Sequence, residues 1–215
     1  MNAQFLQYAK GYSPLVMGLA ILPLPIGMII ASRRSIAIAG RIGARAVVSG
    51  GMLLVAGGLA ALSFVDAGTR YLPYGIALLA ISTGAGLSVP ALSTGIITSL
   101  PPARAGMGSG LNSAAREIGA ALGVAVVGTV LASRFASALP TDLQAHADST
   151  SRTLRTAEQL GGTARTEAIN ALTSATAAGY LAVAVIVLIA AVAVGWGLRE
   201  RRPETPEVLA VGSVG

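Results

Sequence analysis

The residues of this chain best placed to do chemistry are Arg116 and Glu117, adjacent charges inside GMGSGLNSAAREIGAALGVAVVGTV, a stretch otherwise built of small, polar and apolar residues. At 100° per residue, Ser109, Asn112, Ser113, Arg116, Ala120 and Gly123 share one helical face, while Leu111, Ile118 and Leu122 share the opposite one. Arg116 lies about ten residues, roughly 15 Å, in from the start of that helix. An arginine at the centre of a bilayer costs about 2.5 to 3.5 kcal/mol on insertion scales, so such residues mark transport pathways or buried pairs. Two roles therefore stand for Asn112, Arg116 and Glu117. They couple the movement of a proton or a substrate, or they fasten this helix to others by hydrogen bonds. Neighbours on a helix point about 100° apart, so Arg116 and Glu117 need different partners or a cavity that reaches both.

Other chemistries find no residues to carry them. Cysteine is absent, which removes disulfides, thiolates and Cys-based metal sites. The single His146 sits in a polar stretch without a second ligand at matched spacing, so it reads as a solvated loop histidine and no metal site is expected. There is no His-Glu-x-x-His, no Gly-x-Ser-x-Gly, no aspartate pair within a helix and no Gly-x4-Gly-Lys-Ser/Thr loop, so neither an enzyme nor a bound cofactor is expected. The net charge of +6 is not clustered with aromatics on a polar face, which argues against a nucleic-acid partner.

The elements that must position these residues are five long apolar segments, read as helices over 14–32, 46–65, 71–100, 105–133 and 176–198. Each supplies the roughly 20 residues that cross a bilayer, and runs this long without strict alternation are not barrel strands. Composition agrees: 53% hydrophobic and 11% charged residues, against about 25% charged in soluble domains. The 27 glycines suit close helix packing in lipid. The expected fold class is thus an all-α integral membrane protein. The first apolar run is too long for a signal-peptide core and contains Pro23 and Pro25, so it reads as a first membrane helix.

Arginines set the expected orientation, because short loops rich in Lys and Arg stay cytoplasmic. Arg33, Arg34, Arg41 and Arg45 fall between the first two segments, Arg104 between the third and fourth, and Arg199, Arg201 and Arg202 after the fifth; Arg70 beside Asp66 is alone on the other side. The carboxyl-terminal tail, 199–215, is expected in the cytoplasm. The connection 134–175, with Asp142, Asp148, Arg152, Arg155, Glu158, Arg165 and Glu167 in a Thr, Ser and Ala background, is expected to be a solvated external loop, with room for a short amphipathic helix in its second half. Residues 1–13 read as the last turns of a preceding helix and an external turn. Five spans with such a remnant suggest the back end of a longer protein.

Several motifs carry a resemblance. FLQYAKGYSPLVMGLAILPLPIGM, through Phe5, Leu6, Gln7, Gly11, Tyr12, Ser13, Pro14, Leu15, Gly18, Leu19, Leu22 and Pro23, resembles a segment of the major facilitator superfamily, in its fourteen-helix drug:proton antiporter branch. GRIGARAV is similar to that superfamily's cytoplasmic loop signature at Arg41, Gly43 and Arg45, with Gly40 where the family has an acidic residue. The third segment resembles the family's glycine-rich helix with a central proline and a Pro-Pro-x-Arg-x-Gly exit. There Pro90 removes a helical hydrogen bond and introduces a kink, while Gly84 and Gly86 admit a neighbour. The fourth looks like the family's Ser-Gly-x-x-Asn-x-x-Arg-x-x-Gly-x-x-x-Gly helix, ending in Gly119 and Gly123; the fifth is similar to its last helix, with Trp196 as an interfacial anchor.

The resemblance implies five helices of a six-helix half bundle and a carboxyl-terminal portion of a proton-coupled efflux transporter in a bacterial inner membrane. Its partners would be small amphipathic drugs or secondary metabolites, protons, the lipid bilayer, and either a missing amino-terminal half or a second copy. Two further readings stay open: a truncated or split fragment without transport of its own, and a membrane interaction subunit whose glycine-rich helices assemble with other proteins.

Overall fold

A computed structural model describes residues 6–7, 10–66, 68–144 and 150–197. The described residues form helices and no strands: α1 (Pro14–Ile21), α2 (Pro23–Ile42), α3 (Ala44–Ser63), α4 (Tyr71–Thr98), α5 (Ala105–Ala138), α6 (Thr141–Gln144), α7 (Thr150–Leu160) and α8 (Gly162–Gly197), with a short 3-10 turn at Pro102–Arg104 before α5. Five spans, Pro14–Ile42, Ala44–Ser63, Tyr71–Thr98, Pro102–Ala138 and Thr163–Gly197, are long and apolar enough to cross a membrane. The chain is an all-α, multi-pass membrane protein.

The first span is two helices rather than one. Pro23 and Pro25 lack N–H donors, so the ladder breaks at Leu22, whose own N–H turns back to the Leu19 carbonyl at 3.2 Å. Ser13 caps α1 by accepting from the Val16 N–H at 3.4 Å, with Pro14 as the first helical residue. The segment expected to be an arginine-bearing loop over 33–45 is helical through Ile42. Arginine, alanine and isoleucine are compatible with a helix, and nothing breaks it before Gly43. That glycine alone separates α2 from α3. Its φ of 91° and ψ of 144° suit a residue without a Cβ, and its N–H bonds the Ala39 carbonyl at 2.9 Å.

Helix α4 is the centre of the bundle, packed between α2 on one side and α3 on the other. Its buried residues alternate: Ser82 and Gly86 meet α2, while Gly84 and Ser88 meet α3. Rows four residues apart lie on one face, and the two rows are about 200° apart, so a helix with partners on both sides needs no single apolar stripe. Hydroxyls bridge the closest approaches. Ser35 Oγ donates to the Leu87 carbonyl at 2.5 Å, Ser82 Oγ to the Pro23 carbonyl at 3.2 Å, Ser88 Oγ to the Val48 carbonyl at 3.2 Å, and the Tyr71 hydroxyl to the Ala20 carbonyl at 3.0 Å. Between apolar helices in lipid, such small-residue contacts and hydrogen bonds replace the hydrophobic drive of a soluble core. Pro90 lies within α4, which stays helical from Tyr71 to Thr98.

Helix α8 packs on α3 through its membrane half and on α5 through its first half. Leu6, Leu62, Val65, Tyr74, Leu78 and Tyr180 close one end of the bundle, and the Tyr12 N–H bonds the Leu6 carbonyl at 3.0 Å.

The connection expected as a solvated loop over 134–175 is largely helical. Helix α5 continues to Ala138, where Leu139, preceding Pro140, turns extended. Helix α8 starts at Gly162, fourteen residues ahead of the expected Thr176. Phe135, Leu139, Leu143, Leu154, Ala157, Ala168, Ala171 and Leu172 form a separate apolar cluster there. The sparse aromatics concealed it because alanines at helical spacing supply most of the face on α8. A short helix, α7, lies astride the middle of the connection, and the second half, where a short amphipathic helix was expected, is mostly the start of α8. Arg165 Nε and Glu158 Oε1 join α8 to α7 at 3.5 Å, an exposed pair worth under about 1 kcal/mol.

Candidate functional site

The fourth span is the exception in this packing. Helix α5 touches α4 only near its start, where Asn112 Nδ2 donates to Ser93 Oγ at 3.2 Å and Gly108 lies against Leu100 in the turn after α4. It meets α8 only toward its end, through Leu131 and Phe135. Every residue from Ser113 to Val126 is exposed, on all sides of the helix. Arg116 and Glu117 lie inside that stretch, and neither forms an ion pair with a described residue. Cβ atoms added at Gly119 or Gly123 would meet nothing within 4 Å.

Membrane geometry makes this costly. Only sixteen residues, Ile118 to Ser133, separate Glu117 from Arg134. At 1.5 Å per residue that is about 24 Å, short of the roughly 30 Å hydrocarbon core, so a spanning α5 draws a charge toward the apolar layer. No residue three or four positions from Arg116 or Glu117 carries an opposite charge, so the helix itself cannot neutralise them.

The expected site residues therefore separate into three groups. Asn112 joins α5 to α4. Arg116, Glu117, Gly119 and Gly123 sit on the exposed middle of α5, where neither charge forms an ion pair with a described residue. Gly84 and Gly86 are structural: a Cβ on Gly86 would lie 2.7 Å from the Met28 carbonyl oxygen, and one on Gly84 would collide with the Gly51 carbonyl. Ser82 and Ser88, which suit a cavity lining as well as backbone satisfaction, are spent on interhelical bonds. Arg41 and Arg45 flank the Gly43 turn and are exposed. His146 and the tail arginines lie outside the described residues. Among the described residues, no three His, Cys, Asp or Glu side chains gather closely enough to hold a metal ion.

Two polar features were not expected. At the α3–α4 turn, Thr69 Oγ1 donates to Asp66 Oδ1 at 2.7 Å and accepts from the Asp66 N–H at 3.0 Å, and Lys10 Nζ donates to the Thr69 carbonyl. The Thr69 hydroxyl bond, then backbone bonds, hold the exposed Asp66 carboxyl below its ordinary range. Burial lowers the Lys10 pKa, which nearby Asp66 partly offsets. Elsewhere, Glu167, Asn170 and Ser174 line a hollow of about 540 Å³ with Ala138, Leu139 and Pro140. Their i, i+3, i+7 spacing was a legible signal of one helical face, hidden by reading the segment as a loop.

Comparison with protein-family models finds no match, and a search of curated proteins finds no similar sequence. What defines the class is the fold, a multi-pass helical membrane protein whose fourth span carries Arg116 and Glu117 on an exposed stretch.

Proposed function

We propose that this chain is a carboxyl-terminal half bundle of a proton-coupled efflux transporter for amphipathic drugs or secondary metabolites. It would work in a bacterial inner membrane with its carboxyl terminus cytoplasmic. The observation that supports this reading is the placement of Arg116 and Glu117 on a stretch of α5, Ser113 to Val126, that its neighbours α4 and α8 leave exposed. Such a helix suits the wall of a pathway between two halves, where charges move protons or orient substrate. The motif resemblance supplies the direction and the cargo class.

The same open helix favours a second reading. A bundle with one unpartnered wall encloses no pathway alone, so the isolated chain would assemble with a second half before it transports anything. Ethidium accumulation in pump-deficient bacteria expressing the chain tests both. Efflux that stops with a protonophore and with Glu117→Gln supports the transporter reading; accumulation equal to the empty vector, with the protein present in the membrane, rejects independent transport.

A further inference from the structure

We propose that the partner of the open helix is a second copy of this chain, docked through α5 about a two-fold axis along the membrane normal. The inference rests on the half-bundle reading only in needing a second half; the surface itself is argued from charge and register.

Arg116 and Glu117 set the geometry. Bisecting their directions defines a face that also carries Gly106, Ser113, Ala120 and Val127, which recur every seven residues, with Arg116 and Glu117 about 50° to either side. In a parallel two-fold pair, the left flank of one helix lies beside the right flank of the other. Arg116 of each copy then meets Glu117 of its mate, one helical rise of about 1.5 Å apart in height. Two reciprocal ion pairs form and no charge is left over. The seam between them is glycine, serine and alanine at its first three heptad positions, which lets the backbones approach.

Other ways of satisfying the pair do less. Snorkelling along its long stem would carry Arg116 toward headgroups, but Glu117 is too short to follow. A neighbour within the chain is excluded for the described residues, because the helix is exposed on all sides there. A foreign helix would have to present both signs at one depth, which a second copy does by symmetry.

The absence of cysteine makes the test clean. The full chain carrying Ser113→Cys, reconstituted in liposomes at low protein density, is oxidised with copper phenanthroline beside Leu122→Cys, which lies on the opposite face of α5. The expected result is a covalent dimer for Ser113→Cys at several times the Leu122→Cys yield. Arg116→Glu or Glu117→Arg alone should lower that yield at least about five-fold, and the double exchange should restore it to within about two-fold. Equal yields at the two positions, or no restoration by the double exchange, overturns the proposal. Ethidium efflux measured on the parent chain keeps the two readings apart: dimers without efflux reject the transporter reading alone, and efflux without dimers rejects this one.

Discussion

Gly86→Ala adds one methyl group at the tightest kind of place this bundle has. The new Cβ would lie 2.7 Å from the Met28 carbonyl oxygen, 2.9 Å from the Ala31 Cβ and 3.1 Å from the Met28 Cα. None of these atoms is the end of a flexible side chain, so relief requires α2 to retreat from α4. Ordinary contact begins near 3.4 Å, which sets the retreat at about 0.7 Å, a large strain in an interior packed as densely as an organic crystal. Such a shift also stretches the Ser82–Pro23 and Ser35–Leu87 bonds that join the same helices. Overpacking of this kind costs about 1 to 3 kcal/mol. At Gly123 the same change meets nothing within 4 Å, and the helix propensity of alanine makes it neutral or stabilising by up to about 1 kcal/mol. Equilibrium unfolding by sodium dodecyl sulfate in dodecylmaltoside micelles, followed by far-ultraviolet circular dichroism, compares the two. A Gly86→Ala midpoint equal to that of Gly123→Ala would refute the packing argument.

Gly43→Ala places a Cβ at a φ of 91° in the only residue between α2 and α3; a loss of about 1 to 3 kcal/mol is expected in the same titration, and an unchanged midpoint would contradict it. Asn112→Ala and Ser93→Ala, singly and together, should show a coupling of about 0.6 kcal/mol, the mean for hydrogen bonds between membrane helices; additive effects would mean that the bond contributes nothing. For Asp66, the folded pKa lies below the ordinary 3.8, so its contribution to stability is present above that value and is lost as pH falls through the lowered one. Thr69→Val removes the hydroxyl donor, and thermal unfolding across that acid range should lose less stability on acidification than the parent; parallel curves would refute the assignment.

Local chemistry made some of this structure legible in advance. Proline at 14 and 101 acts within a few residues, so the first span begins, and the third gives way to the fourth, close to where expected, whereas the loop expected over 33–45 shrinks to the single residue Gly43. The apolar lengths state the fold class because lipid leaves a backbone no alternative but to bond itself. Where the sequence misled, the deciding interaction was remote. Residues 134–175 are polar on average and read as solvated, yet alanines at helical spacing close a cluster with Phe135 and Leu143.

By itself the sequence determined five membrane spans and the two charges inside the fourth, since both depend only on composition and helical pitch. Only the tertiary structure decided which small residues are structural and which are open. Gly86 and Gly119 are alike on paper, but one lies against a backbone carbonyl and the other against nothing. That difference arises because α4 is held between two helices while α5 diverges from its neighbours, a matter of contacts distant in the chain that no local pattern encodes.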